Sequence, residues 1–173
     1  IHLGATDADR GGALAGAHPL GNNTVNRAAA ISVSGTEVNI AYRLDLAEIP
    51  TLLVIQEADV DGDGAVLATE WSAYAEHWAG ELLPALQLHS EAGPLALHTQ
   101  RARWLLMDGA AGLSQLRLEA DYRADAPPAA RASLRYVDTS RPTQAGWREA
   151  SVNANHGAQI LSSQAARHDR FAR

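Results

Sequence analysis

The spacing of apolar positions changes along this chain, and each change marks an element. From Val25 to Val33 apolar residues alternate loosely, Ser34-Gly35-Thr36 supplies a turn, and Val38, Ile40, Tyr42, Leu44 and Leu46 alternate cleanly. A period of two interrupted by turn residues predicts a β-hairpin with one buried face. After Pro50 the period lengthens: Val54, Ile55 and Ala58 form one helical stripe, and Trp71, Tyr74 and Trp78 form a second that ends at Pro84. Two helices are therefore predicted within about 49–83. Strands resume at Leu86–His89, Leu95–Leu106, Leu113–Arg123, Ala132–Val137, Trp147–Asn153 and Ala158–Leu161. Glu91-Ala92-Gly93-Pro94 reads as a turn, and Ala124–Ala130 and Thr139–Gly146 read as loops. Short strands at close intervals predict an antiparallel β-sandwich, and the helical pair makes the whole an α+β fold with an insertion after its second strand.

Residues 1–17 are small and polar without periodicity and read as a flexible leader, with no apolar segment of the signal-peptide kind. Ala15-Gly16-Ala17 nevertheless has the small-residue pattern of a cleavage site, directly before His18. The domain is expected over 18–163, and 164–173 reads as a tail or linker.

Composition narrows the function. The net charge is −6 and no basic run is present, which argues against nucleic-acid binding. All fourteen basic residues are arginine. The absence of cysteine excludes disulfides and thiolate metal sites and leaves the redox compartment undetermined. No apolar run approaches the ~20 residues needed to cross a bilayer, so direct membrane insertion of this chain is not expected.

Between the two predicted helices lies Asp59–Glu70, DVDGDGAVLATE. Asp59, Asp61 and Asp63 fall on loop positions one, three and five of an EF-hand, where side-chain oxygens meet a hard cation. Gly64 stands at position six, where the chain turns sharply, and Ala65 at position seven contributes only its carbonyl. Glu70 at position twelve can supply both carboxylate oxygens. Six protein oxygens and one water would complete a roughly sevenfold calcium shell. Leu67 departs from the pattern, since position nine often holds a polar residue that tethers the water. That departure, and the lack of a second such loop to pair with, places the expected affinity at about 10⁻⁴ to 10⁻³ M, in the range of extracellular modules. Structural calcium outside the membrane follows; a calcium sensor is the sharper alternative. A metal-free acidic turn, or a calcium loop of another fold, competes with both.

Other candidates are weaker. His18, His77, His89, His98 and His156 show no ligand spacing, although His89 and His98 could face one another across a hairpin. Asp45 and Glu48 could cap the first helix or hold a second ion. No nucleophile elbow or convincing carboxylate pair suggests an enzyme.

Three segments carry a resemblance. His18 to Arg27, HPLGNNTVNR, resembles the HPLGNFTVN opening of an extracytoplasmic domain in bacterial membrane proteins described as nickel/cobalt transporters of the NicO type. Asp45 to Thr51, DLAEIPT, is similar to the segment before the EF-hand-like loop of those proteins, and Gly146-Trp147-Arg148-Glu149 is similar to a late GWRE segment. The resemblance runs from His18 to about Ser163. It implies an extracytoplasmic module, tethered to the plasma membrane by a transmembrane transporter region following this chain. Two departures stand out: Asn23 replaces the usual aromatic, and residues precede His18. Cleavage after Ala17 would leave the amine and imidazole of His18 free to chelate a transition metal. The alternative function is a secreted or surface calcium-stabilised module that binds a protein or glycan.

Overall fold

The computed structural model describes residues 2–5, 22–109, 112–127, 131–155 and 157–166. Its elements, in order, are β1 (His2–Ala5), β2 (Val25–Val33), β3 (Glu37–Leu46), α1 (Glu48–Ala58), α2 (Ala68–Leu82), a 3₁₀ turn (Leu83–Ala85), β4 (Leu86–Ser90), β5 (Gly93–Leu95), β6 (His98–Asp108), β7 (Ser114–Asp125), β8 (Ser133–Asp138), β9 (Arg148–Ala154) and β10 (Ser162–Ser163). Among the described residues the fold is α+β, mostly strand, with two helices and two five-stranded sheets. One sheet runs β6-β7-β3-β2-β9 and the other β10-β1-β8-β4-β5.

The hairpin β2–β3 forms where alternation predicts it, in continuous register from Val25↔Leu46 to Val33↔Val38. Val38, Ile40, Tyr42, Leu44 and Leu46 are all buried, as a period of two requires of one face. They join a single hydrophobic cluster that also takes Leu88, Leu134 and Tyr136 from the second sheet and Val54, Ala75, Trp78 and Leu82 from the helices. The Tyr42 hydroxyl donates to Asp138 Oδ2 at 2.9 Å, a bond from one sheet to the other. On the opposite face of the first sheet, arginines pair with carboxylates across neighbouring strands, Arg101 with Asp121 at 2.7 Å and Arg103 with Glu119 at 2.6 Å.

The strand directions correct the sequence reading. The sheets are not purely antiparallel: β2 pairs with β9 in parallel, and β1 pairs in parallel with both β8 and β10. The path into β9 explains its direction. Val25 and Arg27 donate their backbone N–H groups to the carbonyls of Ala145 and Trp147, so the incoming chain starts at the same end as β2. Gly146 makes this approach possible: at φ 143°, a Cβ there would sit 2.0 Å from the Val25 carbonyl oxygen.

Five further boundaries move. Part of the 1–17 leader, His2–Ala5, is strand β1, because the free edge of β8 offers it a ladder. The predicted turn at Glu91–Pro94 is tighter, and Gly93–Leu95 pairs with β4 as an edge strand, where proline needs no ladder N–H. The predicted strand Leu95–Leu106 breaks at Ala96–Leu97, where the chain passes from one sheet to the other. Ala158–Leu161 is not a strand, although Ala158 and Ile160 pack against the core. Within the expected tail, Ala166 bridges Ser151 of β9.

Candidate metal site on the helical pair

Local chemistry ends α1 and begins α2 on either side of the acidic loop. Thr51 fastens α1 to the first sheet: its fully buried hydroxyl donates to the Leu46 carbonyl at 3.2 Å and accepts the Leu116 N–H at 2.9 Å. Glu48, in the first turn of α1, accepts from the Gln115 side chain at 2.9 Å, and Asp45 pairs with Arg117 at 2.5 Å. These carboxylates thus hold the β3–α1 junction, and no side chain caps the start of α1. α2 packs on β6 through rings. Trp104 lies 5.4 Å from Trp78, 6.4 Å from Tyr74 and 6.5 Å from Trp71, centroid to centroid. The Tyr122 hydroxyl donates to the Ala79 carbonyl at 3.0 Å and secures the far end of α2.

Held this way, the loop folds its backbone onto its own carboxylates. Asp59 accepts from the N–H groups of Asp63 at 3.1 Å and Gly64 at 2.9 Å. Asp61 accepts from Asp63 N–H at 3.2 Å, and Asp63 from Ala65 N–H at 2.8 Å. Gly64 adopts φ 86°, a left-handed turn that favours glycine. One oxygen from each of Asp59, Asp61 and Asp63 lies within 4.8 Å of the others. Like charges at that spacing repel, and a divalent cation among them would offset the repulsion.

Glu70 stands apart from this group of three. One of its oxygens accepts from Val60 N–H at 3.0 Å and the other from Leu67 N–H at 2.8 Å. It therefore ties the start of the loop to the first turn of α2. Leu67 has no side-chain acceptor to return a bond, so only the glutamate half of a capping box is made. Each carboxylate oxygen keeps a further lone pair, so the contacts are compatible with metal ligation. Tyr74 crosses from α2 to hydrogen-bond Glu57 of α1. Burial, followed by that bond, pushes the Tyr74 phenol up to about 12.

His18 and His156 lie outside the described residues. His89 and His98 do not face each other: His89 is opposite Pro94 in one sheet and His98 opposite Arg123 in the other. His77 instead lies 3.3 Å from Glu81, one turn on along α2. No described helix is long and apolar enough to cross a membrane.

Sequence reasoning missed a buried cation. Arg27 on β2 is 1% exposed, and its Nη2 donates to the Arg141 carbonyl at 2.9 Å, while Nε and Nη1 meet no acceptor. Burial lowers its pKa, and neighbouring Arg148 lowers it further. The loose alternation of β2 put position 27 on the inward face, and that was the available signal. No family model matches the chain, and no curated protein or solved structure matches it either.

Proposed function

We propose that the chain is a calcium-binding extracytoplasmic module of a bacterial metal-ion transporter of the nickel/cobalt type, and that the calcium is mainly structural. In this reading the two sheets form a sandwich and α1, the loop and α2 form an inserted EF-hand. The observation that carries it is the convergence of Asp59, Asp61 and Asp63 within 4.8 Å in a loop whose own N–H groups orient the carboxylates. An all-oxygen donor set fits a hard cation such as calcium and fits nickel or cobalt poorly. Asp59, Asp61, Asp63, the Ala65 carbonyl and Glu70 would hold the ion, whose charge would lock the C-terminus of α1 to the N-terminus of α2. Transported nickel or cobalt would pass elsewhere. The transporter context is supported by the resemblance of the His18–Arg27, Asp45–Thr51 and Gly146–Glu149 segments, with transmembrane helices expected to follow in the full protein.

An exposed aromatic groove would favour a secreted protein- or glycan-binding module instead. Each of the four tryptophans is buried or half-buried, so that reading gains no support from them.

Thermal unfolding in calcium and in chelator tests the metal. Calcium at a hundred times its dissociation constant contributes about 2.7 kcal/mol. For a domain of this size that raises Tm by roughly 5–10 °C. Glu70→Gln should lose most of the rise. A Tm indifferent to calcium and chelator would refute the calcium reading, and a reading frame without transmembrane helices after residue 173 would refute the transporter context.

A further inference from the structure

The helical pair concentrates both negative charge and exposed apolar surface. Between Glu48 and Ala85 the chain holds eight carboxylates and no arginine or lysine, while the remaining residues hold all fourteen arginines and twelve carboxylates. Of the arginines outside this stretch, Arg101, Arg103, Arg117 and Arg123 are engaged by carboxylates of the first sheet. The Arg141 guanidinium approaches the helices from outside and lies 4.0 Å over the Trp78 ring.

The apolar surface follows helical geometry. Thr51, Val54 and Ala58 are buried on one side of α1. Ile49, Leu52 and Leu53 occupy the opposite side and are 48%, 52% and 56% exposed. At 100° per residue the polar Gln56 falls on the same side, and beyond the end of the helix Val60 is 81% exposed in the loop. There Val60 borders an open groove with Ala73, Tyr74 and His77 of α2, rimmed by Asp61 and Glu70. Three large apolar residues on one helix face, with Val60 and a groove beyond the end of that helix, exceed the scattered leucines of an ordinary surface.

We propose that this face and groove form a docking surface for a cationic amphipathic segment of a protein partner, whose apolar residues would cover Ile49, Leu52, Leu53 and Val60. Charge complementarity selects this occupant. Lysines or arginines flanking the apolar face would meet the carboxylates of the loop and of α2, whereas an anionic lipid surface or a second copy of this acidic unit would be repelled. Two charges contributed by a bound calcium ion would leave the unit acidic, so the proposal does not rest on the metal reading.

Calorimetry on the full chain, in chelator, tests it with three peptides: an amphipathic helix of leucine and lysine, its counterpart with glutamate for lysine, and a scrambled leucine/lysine sequence. The amphipathic cationic peptide should bind, more weakly as salt rises, and the other two should bind at least about tenfold more weakly. A Leu52→Ser, Leu53→Ser double variant should lose at least about tenfold in affinity, since half-exposed leucines contribute by being covered. Leu161→Ser, which removes a similarly exposed leucine beside Val33 and Ala126, should bind as the unaltered protein does. Far-UV circular dichroism would establish that each variant is folded. Equal binding of the scrambled peptide, or undiminished binding by the double variant, would overturn the proposal. So would sedimentation showing a dimer, or binding to phosphatidylglycerol vesicles, that the double variant abolishes.

Discussion

Replacing Thr51 with valine should destabilise the protein even though valine is the more hydrophobic residue of nearly equal size. Thr51 is fully buried, and its hydroxyl serves the Leu46 carbonyl and the Leu116 N–H together. Both partners belong to strands of the first sheet, at the Leu46↔Leu116 end of the β3–β7 ladder. Valine would leave the Leu116 N–H buried without an acceptor, at a cost of about 1–3 kcal/mol, and would remove a second bond worth about 0.5–1.5 kcal/mol. The sum is roughly 2–4 kcal/mol, or a Tm lower by roughly 5–15 °C for a domain of this size. Serine keeps the hydroxyl and loses one methyl group, about 1 kcal/mol. Stability should therefore fall in the order threonine, serine, valine. Urea unfolding of the three proteins, followed by far-UV circular dichroism and compared at equal m-values, reads this order directly. A valine variant at least as stable as the serine variant would mean that the hydroxyl bridge does not fasten α1, and the account of how the helical pair is held would fail.

Two further outcomes follow from the packing. Gly146→Ala would place a Cβ 2.0 Å from the Val25 carbonyl oxygen at φ 143°, and should cost at least about 3 kcal/mol, read as a lower urea midpoint; an unchanged midpoint would contradict the close approach that admits β9. Burial holds the phenols of Tyr42, Tyr122 and Tyr136 far above their usual range and that of Tyr74 at about 12. Because the folded state keeps these protons while the unfolded chain releases them near pH 10, stability should be intact below that pH and fall as pH rises through it. Phenolate absorbance should then appear together with unfolding; a tyrosine titrating near pH 10 in the folded protein would be inconsistent with this.

The parts of the fold legible in the sequence were those written in local periodicity. Val38 to Leu46 alternates because one face is buried, and the Asp59–Glu70 spacing is compact enough to be read without tertiary context. Strand direction was not legible, because a period of two encodes which face is buried and not which way the neighbour runs; β9 beside β2 shows this. The break at Ala96–Leu97 was hidden for a related reason. Leu97 is buried at the passage between sheets, so the apolar pattern continues while the backbone pairing changes partner. For the candidate site, the spacing pointed to all four acidic residues, but the attachment of Glu70 to the Val60 and Leu67 N–H groups depends on where α1 and α2 are held, which the loop alone does not specify.

The ring contacts between α2 and β6 give the molecule an internal optical reporter. Trp71, Trp78 and Trp104, three of the four tryptophans, meet at that one seam. Tryptophan emission is therefore weighted toward the docking of the helical pair, while the strands contribute mainly through the far-ultraviolet backbone bands. If the pair detaches before the sheets unravel, the fluorescence transition will precede the dichroic one, and the separation between them will measure how far the helices and sheets act as one cooperative unit.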